Sequence, residues 1–168
     1  PEHCGNRRGA LRSFPEFPQV SSWGKAVKDS VFVDASAWVA IINRRDAHHQ
    51  AAATVYRQLL RDKVPLFTTN WAAYEALSIL KGRVGYEAAE RLWNVLNDVR
   101  LVRLVRVGRA LEDRGLEMFF RYRDKTWGVV DCASLALMDE VGCRRAFAFD
   151  THFRQAGRQS KFEVVSDV

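Results

Sequence analysis

Four acidic residues of this chain each stand alone inside an otherwise apolar stretch: Asp34, Glu75, Asp131 and Asp150. None of these stretches contains a Lys or Arg that could neutralise its carboxylate. A buried, unpaired carboxylate is costly, so each must be paired, protonated or bound to a cation. Brought together, the four would repel one another unless a cation lay among them. The pattern therefore predicts an acidic metal site.

Helix capping is an alternative role for three of these acids. Asp34, Asp131 and Asp150 each precede a helical run, and Asp is a preferred N-cap residue. Glu75 decides between the two roles because it lies inside a predicted helix, where no residue is an N-cap. Its neighbours at i−3 and i+4 are the apolar Ala72 and Ile79, so we expect that face to point inward.

The charge balance favours a polyanionic partner. The 26 Lys and Arg residues exceed the 20 Asp and Glu residues, which gives a sequence pI of about 9.6. A basic surface around an acidic metal site suits a nucleic acid, whose phosphates can reach the cation. Arg44, Arg45 and Lys125 are the basic residues predicted to meet phosphates, with ordinary surface charge as the alternative. His152 is a candidate substrate contact, with an exposed loop position as its alternative.

The elements that must position these residues alternate along the chain. Strands are predicted at 31–33, 65–68, 99–107 and 146–149, with a possible edge strand at 162–165. Helices are predicted between them at 35–43, 47–62, 70–81, 86–97, 109–122 and 131–142, the third of these capped by Asn70. This alternation indicates an α/β sandwich around a mainly parallel sheet. Ligands bind at the carboxyl ends of such strands, where Asp34 and Asp150 lie.

The domain organisation follows from a change in composition near residue 30. Residues 1–30 contain three of the four prolines and show no apolar periodicity, so they are predicted to form a poorly ordered N-terminal tail. Residues 31–168 are predicted to form one domain, with enough apolar residues for a core.

Cysteine usage and hydropathy bear on the compartment. The three cysteines form no CxxC pair and their number is odd, which favours a reducing cytoplasm over a disulfide framework. Cys132 is predicted to be a small buried hydrophobe beside Asp131. The longest apolar runs are far short of a membrane span, so we expect no membrane association.

Four motifs carry the acids in order: VFVDAS at 31–36, TTNWAAYE at 68–75, DKTWGVVDCAS at 124–134 and AFAFDTHF at 146–153. Their order and spacing resemble the PIN domain nucleases, in particular the VapC-type toxins of prokaryotic toxin–antitoxin pairs. The resemblance implies a PIN-like three-layer α/β/α sandwich over 31–168. The third motif departs from the family, because Gly128 and Val130 stand where many relatives carry hydroxyl residues.

The resemblance also implies a function. A family-like enzyme would be a metal-dependent endoribonuclease in which Asp34, Glu75, Asp131 and Asp150 hold Mg²⁺ or Mn²⁺, the cations that oxygen ligands favour. Its substrate would be an RNA such as tRNA or rRNA, a small antitoxin would inhibit it, and it would pair as a homodimer. Two alternatives are a PIN-like module without catalysis that binds RNA or protein, and a housekeeping RNA-processing nuclease.

Overall fold

The computed structural model describes residues 29–160 and 162–166. In this part of the chain, five parallel strands form one sheet in the order β3-β2-β1-β4-β5. The strands are β1 (Val31–Val33), β2 (Leu66–Thr69), β3 (Val102–Val105), β4 (Arg145–Phe147) and β5 (Glu163–Val164). The helices are α1 (Ala35–Ile42), α2 (His49–Arg61), α3 (Asn70–Arg83), α4 (Tyr86–Leu96), α5 (Arg109–Arg121), α6 (Val129–Val141) and α7 (Thr151–Ser160).

The strand order places the helices in two layers. From β1 the chain moves outward through β2 to β3, then crosses back to β4 and continues to β5. Because parallel crossovers are right-handed, α1 to α4 cover one face of the sheet and α5 to α7 cover the other. Accordingly, α1 packs on α2, α3 and α4, whereas α5 packs on α6. The predicted α/β/α sandwich is confirmed, and β1 and β4 flank its topological switch point.

Aromatic residues from the central strands form the middle of the core. Phe32, Phe67 and Phe147 are fully buried, and the rings of Phe32 and Phe67 meet edge to face at 5.4 Å. Phe153 of α7 stacks on Phe32 with ring centroids 5.7 Å apart. This contact ties the start of α7 to the central strand, and so fixes the loop that carries Asp150.

The helix that carries Glu75 begins differently from the prediction. Thr69, not Asn70, is its N-cap, because the Thr69 hydroxyl accepts a hydrogen bond from the backbone N–H of Ala72 at 3.0 Å. The Asn70 side chain instead accepts from the backbone N–H of Val107 at 2.7 Å, which joins α3 to the segment after β3. The helix also continues past Gly82 to Arg83.

One further helix escaped the prediction. α7 follows Asp150 directly, and His152 lies in its first turn, not in a loop. Asp150 caps it, since its Oδ1 accepts from the backbone N–H of Phe153 at 2.8 Å. The polar sequence of α7 shows little apolar periodicity, which is why only its capping residue was apparent.

Both cysteines of the described residues are buried thiols and neither forms a disulfide. Burial in α6, and then the neighbouring charge of Asp131, raise the pKa of Cys132 to about 11. Its thiolate is therefore scarce at neutral pH, and Cys132 is the buried apolar residue that was predicted.

The predicted tail, residues 1–30, lies almost entirely outside the described residues, which begin at Asp29. Within residues 29–160 and 162–166, no helix combines the length and the apolar character that a bilayer crossing requires.

Candidate metal centre

Three of the four predicted acids meet at the carboxyl edge of the sheet. Asp34 follows β1, Asp150 lies between β4 and α7, and Asp131 is in the first turn of α6. One carboxylate oxygen from each lies within 4.8 Å of the others. Asp34 and Asp131 are buried, and Asp150 is half-buried. The switch point between β1 and β4 thus gathers acids that are about a hundred residues apart in the chain.

Ser36 holds two of these acids in place. Its backbone N–H and its hydroxyl both donate to Oδ2 of Asp34, at 2.8 and 2.6 Å, so that Asp34 is also the N-cap of α1. The same hydroxyl oxygen accepts from the backbone N–H of Phe149 at 3.0 Å, one residue before Asp150. Ser36 therefore connects the loop after β1 to the loop after β4.

Asp131 is fixed through its Oδ2. This oxygen accepts from the backbone N–H of Gly128 at 2.8 Å, at the start of α6, and lies 2.9 Å from Nδ1 of His152. Nε2 of His152 lies 3.2 Å from the hydroxyl of Thr126. With the proton on Nδ1, His152 donates to the carboxylate and its Nε2 accepts from Thr126. These contacts occupy one oxygen of Asp131 and leave the other for a cation.

The electrostatics of the group favour a bound cation. Burial raises the pKa of Asp34 well above its usual range, and the charge of Asp150 raises it further against the lowering effect of the Ser36 hydrogen bonds. Burial also raises the pKa of Asp131, with Gly128 and His152 opposing the effect. Among the described residues, no Lys or Arg lies within ion-pair distance of the three acids. Three hard oxygen donors without a protein counter-charge fit a cation such as Mg²⁺ or Mn²⁺.

Glu75 is not part of this tight group. Its side chain is exposed on α3, although its neighbour Ala72 is buried, so the expectation of an inward-facing Glu75 was wrong. Partial desolvation still raises its pKa, and the charges of Asp131 and Asp150 raise it further. Glu75 therefore lies at the solvent side of the acidic group, close enough to respond to its charge.

The basic residues predicted to meet phosphates lie in different places. Arg44 and Arg45 follow α1 and line a cavity at the end of that helix that is remote from Asp34. Lys125 forms an ion pair with Asp124 at 2.8 Å. His152 is the one predicted contact that touches the acidic group, through Asp131.

The sequence reasoning did not assign a role to Ser36, although the signal was present. A Ser two residues after a capping Asp can donate to that carboxylate from both its backbone and its hydroxyl. Thr126 gave no comparable signal, because its contact with His152 joins residues that are 26 positions apart.

Comparisons with known proteins agree with this geometry. Residues 31–159 match the PIN domain family. The chain is 34% identical over 131 residues to the 23S rRNA-specific endonuclease VapC20 of two Mycobacterium tuberculosis strains, CDC 1551 / Oshkosh and ATCC 25618 / H37Rv; the match covers 76% of this chain and 94% of the relative.

The structural comparison gives the same result. The crystal structure of M. tuberculosis VapC20, described as a Sarcin-Ricin loop cleaving toxin, superposes with a TM-score of 0.69 at 32% identity, and the match covers 76% of this chain and 95% of that one. The resemblance predicted from the four motifs is confirmed, and the chain belongs to the PIN domain family.

Proposed function

We propose that this protein is a metal-dependent endoribonuclease that hydrolyses RNA phosphodiester bonds and acts as the toxin of a toxin–antitoxin pair. The observation that carries the proposal is the convergence of Asp34, Asp131 and Asp150 within 4.8 Å, in a chain that aligns with nearly the whole of an endonuclease toxin. Asp34, Asp131 and Asp150 would hold Mg²⁺ or Mn²⁺, and Glu75 would complete the site from the solvent side.

A divalent cation in this site would activate a water molecule and stabilise the leaving oxygen of the cleaved phosphodiester. The residues of the chain prepare the site for it. Ser36 fixes one oxygen of Asp34, and Gly128 with His152 fixes one oxygen of Asp131. The remaining oxygens are thereby held toward the shared space without the cost of ordering them when the cation and the RNA bind.

The proposed substrate is ribosomal RNA. VapC20 is described as specific for 23S rRNA and as cleaving the Sarcin-Ricin loop. Identity of 34% over the catalytic domain makes the same class of RNA the first substrate to test here. The net charge of +6 agrees with a polyanionic substrate.

The proposed partner is a small antitoxin encoded beside this chain. An Arg of the antitoxin could bond an acid of the metal centre in bidentate fashion and compete with the cation. We infer further that the toxin is a homodimer that pairs with the antitoxin, and that it acts in the cytoplasm, where ribosomes are.

A non-catalytic PIN-like module is a weaker alternative. Its basis in the sequence is the absence of hydroxyl side chains at Gly128 and Val130. In the structure, the backbone N–H of Gly128 donates to Asp131 directly, and His152 supplies a second contact. Asp131 is therefore supported without those hydroxyls.

Cleavage assays with and without metal test the proposal. The purified protein is expected to cut 23S rRNA in Mg²⁺ or Mn²⁺ and to lose this activity in EDTA, because the site depends on a cation to offset three acids. An unrelated RNA of equal length serves as the control for specificity. Cleavage that persists in EDTA, or no cleavage of any RNA with either metal, contradicts the proposed function.

Glu75→Gln tests the role of the exposed acid. We expect cleavage to fall by at least about tenfold, the lower end of the effect of losing a residue that supports a metal site. The melting temperature of the metal-free protein should stay unchanged or rise, because the change removes repulsion from Asp131 and Asp150. Glu90→Gln, an exposed acid of α4, is the matched control. Unchanged cleavage with a lower melting temperature would indicate a structural role for Glu75.

A further inference from the structure

Four arginines from three parts of the fold line one open cavity of about 340 Å³, which we call the arginine pocket. Arg44 and Arg45 follow α1, Arg83 lies in the last turn of α3, and Arg91 lies on α4. All four side chains are exposed. Residues that are up to 47 positions apart in the chain are thus brought to one opening, which local surface composition does not explain.

The arginine pocket has no carboxylate to neutralise it. Within the described part of the chain, none of its four arginines forms an ion pair, although Glu87 and Glu90 also lie on α4. The other side chains of the lining are an amide and two aliphatic groups, those of Asn43, Ile42 and Val84. An anion placed here would gain from several guanidinium groups at once, and a guanidinium matches the oxygens of a phosphate in bidentate geometry.

The arginine pocket and the metal centre lie at opposite ends of the same helix. Asp34 caps the start of α1, and the pocket begins where α1 ends eight residues later, a rise of about 12 Å. On α3, Glu75 and Arg83 are likewise eight positions apart. Ser78 and Gly82 lie between them on the face of Glu75; Ser78 is exposed, and a Cβ at Gly82 would meet nothing within 4 Å. The surface from the metal centre to the pocket is therefore low and open.

We propose that the arginine pocket binds a phosphate group of the RNA substrate at a nucleotide away from the cleaved bond, and so sets which part of the RNA reaches the metal centre. The inference rests on the proposed function as a ribonuclease. One continuous polyanion can occupy both ends of α1, with its cleaved phosphate at the cation and a second phosphate among the guanidinium groups.

Stabilisation of helix ends does not account for this arrangement. A cation near a helix C-terminus is favourable, and Arg83 in the last turn of α3 gains from that effect. Arg91 is in the middle of α4, and Arg44 and Arg45 lie beyond the end of α1, yet all three face the same cavity. A common ligand is the feature that the four positions share.

The test compares two double variants that remove the same charge. Arg83→Gln/Arg91→Gln removes half of the pocket, whereas Arg57→Gln/Arg61→Gln removes two exposed arginines of α2 outside it. Binding of a 23S rRNA fragment is measured in EDTA at several salt concentrations. We expect the pocket variant to bind about tenfold more weakly or worse. Its salt dependence should lose a slope of about 0.7 per phosphate contact on a single strand. The α2 variant should stay within about twofold of the wild type, as expected for surface charge that is remote from the ligand.

Kinetics separate substrate positioning from catalysis. In Mg²⁺, the pocket variant should show a raised KM with an unchanged kcat, because the pocket binds the RNA equally before and during the reaction. Arg44→Gln/Arg45→Gln should give the same result, and it covers the case in which the changes in α3 and α4 impair folding. The melting temperature of each variant serves as the check on folding.

Three outcomes overturn the inference. The first is an equal loss of RNA affinity in the pocket variant and the α2 variant, which would indicate general charge alone. The second is unchanged RNA affinity. The third is unchanged RNA affinity with weaker binding of the purified antitoxin, which would make the pocket a site for an acidic protein. Failure of the proposed nuclease function is distinct, because the wild type would then bind RNA in EDTA without cutting it in Mg²⁺.

Discussion

Asp131→Asn is expected to reduce RNA cleavage by more than about 100-fold, because loss of even an outer supporting residue of a metal site costs about 10–100-fold. The amide keeps the size of the side chain and its oxygen can still accept from Gly128, so the start of α6 should stay intact. It removes one of the three negative charges that would hold the cation. Cleavage of 23S rRNA in Mg²⁺ measures the effect.

Growth of a bacterial host gives a second measurement of the same variant. Expression of the wild type alone should slow growth, and co-expression of the neighbouring antitoxin should restore it. Asp131→Asn should not slow growth, and Asp113→Asn, an exposed acid of α5, is the control that should behave as the wild type. Equal toxicity of Asp131→Asn and the wild type would contradict the toxin hypothesis. RNA cleavage without any effect on growth would favour the housekeeping nuclease.

The fold and three of the acids were predictable from the sequence for a physical reason. Strands that alternate with helices admit few topologies, and a parallel sheet brings the carboxyl ends of its strands to one edge. Asp34 and Asp150 each follow a central strand, so their meeting follows from the pattern alone. Asp131 could be added because a carboxylate at a helix start has a defined direction.

The exposure of Glu75 could not be predicted in the same way. Apolar neighbours at i−3 and i+4 define a helix face, but they do not say which side of that face borders solvent. Ala72 is buried against the rest of the fold, whereas Glu75, less than one turn later, opens toward the metal centre. Helical periodicity describes the axis of a helix and not the edge of the layer in which it lies.

The arginine pocket was beyond sequence reasoning because its parts are distant. Arg44 and Arg45 were predicted to meet phosphates from their position after a helix, but nothing linked them to Arg83 and Arg91. The contact depends on how α1, α3 and α4 pack, which follows from the apolar faces of these helices and not from their charges.

The stability of the metal-free protein is expected to fall as the pH rises from about 4 toward neutrality at its acidic site, and Mg²⁺ or Mn²⁺ should restore it. Asp34 and Asp131 have raised pKa values in the folded protein, so the folded state holds protons that the unfolded state has released. Their contribution is complete below the unfolded pKa of about 3.9 and is lost as the pH passes through the raised folded values. At neutral pH a cation at about 100 times its Kd should return roughly 2.7 kcal/mol.

The difference between the wild type and Asp34→Asn isolates this effect. Asp98, whose pKa is lowered to about 2 by its hydrogen bonds with Arg100, contributes with the opposite sign, but equally in both proteins. Asn can still cap α1 through Ser36, so the variant should melt at a higher temperature than the wild type at neutral pH in EDTA. It should also show a flatter pH profile and little gain from metal. A variant that is less stable in EDTA, and that gains as much from Mg²⁺ as the wild type, would mean that Asp34 serves α1 as a cap and is no ligand, because only a ligand carries the charge that the cation offsets.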